Sequence, residues 1–311
     1  MTDINSDPAD LEQHPPHNPL HRTDHVNTIF FVAVGANLAF TVFEAAYAYI
    51  ADSVSLLGDA GHNLGDVLGL LLAWGAAYLA GKKTSRMYSY GYRRTTILAA
   101  IINALVLVFA AALIAFESVE KFIAPTPIQE IPVIVVASVG ILVNTGAAWL
   151  FIKGSKEDLN LKAAFLHLAF DALISVGVVI TATAILFTGW LWLDPLAAVM
   201  IVVIITWGAW GLLRDSVNLI LDAVPQGIDR AAVEDYLRSV EGVTRIHDVH
   251  IWGMSTNENG LTAHLIMPEN TLWDSETGYG EISKALRERF NIHHVTLQVE
   301  RDEDCANDDC D

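Results

Sequence analysis

Cysteine is almost absent from this chain of 311 residues: Cys305 and Cys310 are the only two, both within the last seven positions. A disulfide framework is therefore excluded as the source of the fold. Basic residues are also scarce, with 18 Lys and Arg against 36 Asp and Glu and a formal net charge of −18. That balance argues against a nucleic-acid partner and for cations as neighbours. No Gly-x-x-x-x-Gly-Lys-Ser/Thr run occurs, so the chain offers no P-loop for ATP, and no nucleotide is expected as a cofactor. No His-Glu-x-x-His occurs either, which removes the zinc-protease arrangement with its general base. The first residues lack the basic-then-apolar layout of a signal peptide.

What is abundant is apolar surface. Hydrophobic residues make up 53% of the chain and mean hydropathy is +0.39, which places it in the membrane class. Six apolar segments are long enough to cross a bilayer, at about 26–50, 56–80, 95–116, 131–152, 163–188 and 195–213. Nine of the ten basic residues in 27–214 fall on one side of these spans: Lys82, Lys83, Arg86, Arg93, Arg94, Lys153, Lys156, Lys162 and Arg214. The positive-inside rule then puts both termini in the cytosol, with Trp190 and Trp192 at an outer interfacial turn. Charge is uneven along the chain: −4 over residues 1–26, −1 over 27–214 and −13 over 215–311.

These shifts divide the chain into four parts: an N-terminal arm (1–26), a six-helix membrane domain (27–220), a cytosolic domain (221–300) and an acidic tail with both cysteines (301–311). The arm is polar, holds Pro8, Pro15, Pro16 and Pro19, and reads as disordered. Its His14, His17, His21 and His25 are either a solvated tail or a weak metal-collecting arm. After the sixth segment the periodicity changes. Helices are expected over 229–240 and 275–290, and strands over 244–252, 261–267 and 293–300. The order αββαβ implies a small open α+β sheet, ferredoxin-like or metallochaperone-like, with its helices on one face.

Within the second apolar segment lies Gly58-Asp59-Ala60-Gly61-His62-Asn63-Leu64-Gly65-Asp66. A carboxylate at mid-membrane costs roughly 3 kcal/mol on insertion scales, so it needs a partner or a job. His62 and Asp66 are four apart and share one helix face. The fifth segment repeats the spacing with His167 and Asp171. Two such pairs make an N2O2 ligand set, the number and chemistry of a tetrahedral zinc site. On antiparallel helices His62 comes level with Asp171 and Asp66 with His167, provided that the fifth helix begins near Asp158, ahead of its apolar run. Histidine also supplies a drive, because a reference pKa near 6.5 lets proton and metal compete for one nitrogen. Asn37 and Glu44, seven apart in the first segment, and Asp59 are candidates for helix packing or for carrying protons.

The cytosolic part repeats the ligand chemistry with His247, Asp248, His250, His264, His293, His294 and Glu300. Regular strand alternation sets His247 and His250 on opposite faces, and it pairs His294 rather than His293 with Glu300. Cys305 and Cys310, set among six acids, are possible additional soft ligands.

With these motifs in view, the chain resembles the cation diffusion facilitator family in its zinc-transporting branch (the cobalt/zinc/cadmium efflux type). Leu57 to Asp66 resembles that family's second-helix signature, and Ala164-Phe165-Leu166-His167 through Asp171 its fifth. Tyr90-Gly91-Tyr92-Arg93-Arg94 resembles its first cytosolic loop; His247 to Trp252 and Ile292 to Glu300 resemble its cytosolic domain. The likeness covers about residues 27–300. It implies a multi-pass homodimer in a bacterial inner membrane, in contact with lipid, that exports zinc, with cobalt or cadmium as further substrates, in exchange for protons. It implies His62, Asp66, His167 and Asp171 as the transport site. It also implies a structural or regulatory zinc on His247, His264, His293 and Glu300. Thr95-Thr96 stands where the family often has a Glu after the loop arginines, and the loop 153–162 lacks the histidine cluster of many animal members. A membrane zinc enzyme and a membrane metal sensor without transport are the alternatives. The symmetry of paired ligands on two antiparallel helices suits alternating access better than an active site.

Overall fold

A computed structural model of the chain describes residues 20–152, 159–267 and 275–301. Six long helices come first: α1 (Leu20–Ala51), α2 (Val54–Ala80), α3 (Thr95–Ile123), α4 (Glu130–Phe151), α5 (Leu159–Thr188) and α6 (Leu193–Ile220). Within the described residues, five of them, α2 to α6, are long and apolar enough to cross a membrane. Their outward faces carry bare apolar side chains such as Trp74, Phe109, Leu142 and Trp207, the surface expected of helices solvated by hydrocarbon. α1 corrects the expected N-terminal boundary. It begins at Leu20, directly after Pro19, so the last residues of the expected disordered arm are helical. The rest of the arm, with His14 and His17, lies outside the described residues.

α2 is the middle of the bundle, touching α1, α3, α5 and α6. Its glycines make this closeness possible. A Cβ at Gly61, Gly65 or Gly69 would lie 3.0 Å from Ile114, 2.1 Å from Leu107 or 2.8 Å from Asn103 of α3, while one at Gly58 would lie 3.4 Å from Ile201 of α6. Small residues every fourth position are the way membrane helices gain packing when lipid is as apolar as leucine. The outer end of α2 is fixed by Asp194, which is 1% exposed. Its carboxylate accepts from Ser53 Oγ (2.7 Å), the Val54 amide (2.7 Å), Ser55 Oγ (2.5 Å) and the Ser55 amide (3.3 Å). An anion over the first free amides of a helix satisfies donors and dipole together.

The cytosolic domain follows as α7 (Arg230–Arg238), β1 (Arg245–Gly253), β2 (Asn259–Ile266), α8 (Ser275–Phe290) and β3 (Ile292–Glu300). β1 pairs antiparallel with β2, and β2 parallel with β3, so β2 is central. Val249, Ile251, Leu261, Ala263, Leu265 and Val295 pack against Val233, Leu237, Ile282 and Leu286 of the two helices. The opposite sheet face carries the histidines. Two irregularities overturn simple alternation. In β1 the register opposes His247 to His264 and His250 to Thr262, so one extra residue is accommodated, and Asp248 takes φ +53°. His247 and His250 thereby share a face. In β3 an extra residue lies between Ile292 and His294.

The glycine stripe gives a test. Gly65→Val should drive a side chain into Leu107 and destabilise the α2–α3 contact by roughly 1–3 kcal/mol. Leu107→Ala should restore much of the loss. Thermal unfolding of both variants and of the double variant in detergent measures the coupling, and additive losses would show that the two residues do not meet.

Candidate metal transport site

α5 starts at Leu159, which sets His167 and Asp171 two to three turns into the helix and opposite the pair on α2. The four side chains form a ring in which nitrogen and oxygen alternate. His62 Nε2 lies 3.2 Å from Asp171 Oδ1, Asp171 Oδ2 lies 3.8 Å from His167 Nε2, His167 Nε2 lies 3.4 Å from Asp66 Oδ2, and Asp66 Oδ2 lies 3.7 Å from His62 Nδ1. Zinc bonds of about 2.0–2.1 Å to nitrogen and oxygen in a tetrahedron set neighbouring donors about 3.3 Å apart. His62 Nδ1, Asp66 Oδ2 and Asp171 Oδ1 are shut off from solvent and have no hydrogen-bond partner. Buried polar atoms without partners are costly, and a cation among them removes that cost. His62, Asp66 and Asp171 can bring one ligand atom each within reach of a single ion, and His167 Nε2 stands beside them. Asp171 is 2% exposed and His167 50%, so the ring is closed on one side and open on the other. The open side faces a cavity of about 820 Å³ between α2, α3, α5 and α6, whose walls are otherwise mostly aliphatic.

The neighbouring polar groups hold this ring in place. Ser175, one turn beyond Asp171, donates to Asp59 Oδ2 at 2.7 Å and so ties α5 to α2. The Asn63 amide donates to Glu44 Oε2 at 2.9 Å and ties α2 to α1. Asp59, Asn63, Glu44 and Ser175 are fully buried. Asn37 is partly buried, and its carbonyl accepts from Thr41 Oγ1 at 2.8 Å. Two features were not found from sequence. Asp194 gave no signal beyond an outer turn. Asn103 is a lone polar residue inside the third apolar segment, and no local pattern gives its partner.

A second cluster sits on the open face of the cytosolic sheet. Glu300 lies 2.9 Å from His247 Nε2 through Oε2 and 2.8 Å from His264 Nδ1 through Oε1. The bulge residue Asp248 reaches His264 Nε2 at 3.4 Å and His250 Nε2 at 2.7 Å. His247, His264 and Glu300 bring their ligand atoms close enough to hold one ion. His247 Nδ1 and His264 Nδ1 are shut off from solvent without hydrogen-bond partners, so these residues fit a resident metal. The expected fourth ligand is corrected. Seven residues along a strand span about 23 Å, so His293 stands at the far end of β3 from Glu300. His294 shares the face of Glu300 but sits against Tyr90, with ring centroids 5.5 Å apart. Cys305 and Cys310 lie outside the described residues.

A model of the cation efflux transmembrane domain matches residues 30–221, and one of the cation efflux protein cytoplasmic domain matches residues 225–302. The chain belongs to the cation efflux family. Among its relatives is the zinc transporter ZitB of Escherichia coli (strain K12), 34% identical over 281 residues, which are 89% of this chain and 88% of that one. A cadmium, cobalt and zinc/H(+)-K(+) antiporter of Bacillus subtilis (strain 168) is 33% identical over 264 residues, 84% of this chain and 85% of that one. The metal cation efflux system protein CzcD of Cupriavidus metallidurans is 34% identical over 269 residues, 86% and 85% of the two chains. Among solved structures, the metal-bound C-terminal domain of the CzcD transporter from that organism is 34% identical, covers 24% of this chain and 99% of its own, and has a TM-score of 0.22.

The Glu300 carboxyl is held below the usual carboxylate range, first by the hydrogen bond from His247, against burial, and then by the charges of His247 and His264. A depressed carboxylate contributes stability that is present above its unfolded pKa and lost as pH falls through the folded one. The ionised carboxylate is the form that can accept a metal. Calorimetry with zinc on the full chain carrying Asp171→Ala should show binding that His264→Ala removes and His293→Ala leaves in place. Binding lost in His293→Ala would return that residue to the ligand set.

Proposed function

We propose that this chain is a secondary transporter that exports zinc from the cytosol in exchange for protons, through the ring of His62, Asp66, His167 and Asp171. The observation that carries this reading is that His62, Asp66 and Asp171 can each turn one ligand atom to a single ion, with His167 Nε2 beside them at 3.4 Å from Asp66 Oδ2 and 3.8 Å from Asp171 Oδ2. Relatives named as zinc transporters and as a cadmium, cobalt and zinc/H(+)-K(+) antiporter support the class of substrate and the exchange. Two imidazoles with two carboxylates favour zinc, with cobalt and cadmium as the next fits. The protein is a multi-pass membrane transporter of the bacterial inner membrane and not an enzyme, and it works as a homodimer.

The mechanism follows from protonation chemistry. Zinc arriving from the cytosol needs both imidazoles neutral. When the ring opens to a more acidic exterior, protons take the nitrogens and the hold on zinc weakens. Asp66 and Asp171 keep the cavity attractive to cations, so an emptied ring refills with protons and returns. Asp59, through Ser175, and Glu44, through Asn63, position the helices that carry the ligands. His247, His264 and Glu300 would hold a resident metal ion on the cytosolic sheet, where it would cross-link strands β1, β2 and β3.

Asp171→Ala should abolish zinc flux in proteoliposomes while leaving the protein monodisperse, because it removes one of four ligands; near-normal flux would sink the site assignment. Zinc uptake into inside-out vesicles should rise with an acidic lumen and collapse when the pH gradient is dissipated. His62→Asp or His167→Asp should flatten that dependence and loosen metal choice. Flux that ignores the imposed pH gradient, with voltage clamped, would rule out proton exchange.

A further inference from the structure

The cavity that meets the four-ligand ring contains one polar side chain on the cytosolic side of the ligands, Asn103 of α3, among its lining residues. Its position is built by both helices. The Asn103 amide lies flat over Gly69, where a Cβ would stand 2.8 Å from Nδ2 and 3.1 Å from Oδ1, so only glycine leaves it that place. Gly69 is three residues beyond Asp66 on α2, which is about 4.5 Å toward the cytosol. Asn103 Oδ1 is shut off from solvent and has no hydrogen-bond partner. Leu107, Ile204, Ile205 and Leu212 line the same cavity, and none of them can replace water on a metal ion.

We propose that Asn103 receives the incoming divalent cation: its amide oxygen replaces one water of the hydration shell a turn before the ion reaches Asp66. This rests on the transport site assigned above and adds a step to it. A neutral oxygen suits the role. It exchanges one for one with water, and it yields the ion to a carboxylate and an imidazole because it brings no charge of its own. A carboxylate in the same place would hold the ion instead of passing it on.

The test uses the full chain in proteoliposomes with zinc flux followed by stopped flow. Asn103→Leu and Asn103→Ala should raise the KM for cytosolic zinc by roughly tenfold, the loss expected for one ligand contact, with kcat within about twofold. Asn103→Asp should keep a low KM and slow turnover, since the ion is then held. The alanine variant adds no bulk against Gly69, so it reports on the oxygen and not on packing. Unchanged KM in both the alanine and leucine variants, or a fall in kcat alone, overturns the inference. Asp171→Ala run in parallel separates the two levels: if it is silent while the Asn103 variants keep the wild-type KM, only the role of Asn103 fails. If Asp171→Ala still transports, the ring is not the site and the inference falls with it.

Discussion

Two carboxylates sit among apolar helices, and everything near them answers the resulting electrostatic demand. A charged side chain in hydrocarbon is tolerated when a counter-charge, a proton or water accompanies it. Asp66 and Asp171 have imidazoles within ion-pair distance but no aligned hydrogen bond on the atoms that face inward. Such a set is poorly satisfied by itself and well satisfied by a divalent cation or by protons on the imidazoles. Exchange between those two occupants at one site, as proposed above, would be driven by a proton gradient and would need no nucleotide.

For that exchange to occur in one place, α2 must lie close to three other helices at once. Its glycine stripe permits contact with α3, Asp194 holds its outer end, and Asp59 and Asn63 bind it to α5 and α1. These are packing and hydrogen-bond constraints of different kinds, spread over about four turns of one helix. A helix so constrained cannot slide along its axis without breaking several of them together. The rung pairing of His62 with Asp171 and of Asp66 with His167 therefore has a fixed register, and motion that opens the ring is more readily a movement of α5, whose contact with α2 is the lightest, than of α2 itself.

The membrane part was largely legible because its signals are long or paired. Apolar runs of twenty residues and two identical i,i+4 ligand pairs leave few alternatives, and the antiparallel arrangement followed from loop charge. The cytosolic sheet was legible in its order of elements but not in its ligand face. Alternation is a rule for regular strands: β1 departs from it by one residue, with Asp248 in a left-handed conformation, whereas the extra residue of β3 precedes His294 and leaves its parity with Glu300 intact. A single inserted residue inverts every inference from parity beyond it. Asn103 and Asp194 were hidden for another reason. Each is one polar residue whose partners, Gly69 and the start of α2, lie far away in sequence, and no local pattern announces such a contact.

The same sheet that carries the cytosolic cluster also meets the membrane domain. Its far end packs Gly253 against Leu219 of α6, where a Cβ would stand 2.7 Å from Leu219 Cδ2, and sets His294 against Tyr90. Around this contact, Arg93 pairs with Glu258, Arg94 with Asp222, and the Thr256 amide donates to Thr96 Oγ1. Both ion pairs are substantially exposed, and exposed pairs contribute little to stability. The steric contact at Gly253 and the hydrogen bond to Thr96 are therefore the firmer links. Thr96 occupies the first turn of α3, two turns from Asn103 on the cavity wall. β1 leads from His247 at the cluster, through the bulge at Asp248, to Gly253 at α6, and its ladder with β2 is regular from His250 onward. A metal held by His247, His264 and Glu300, as proposed above, would brace the end of the sheet remote from the membrane, and the sheet's contacts with α3 and α6 are the links through which it could reach the membrane domain.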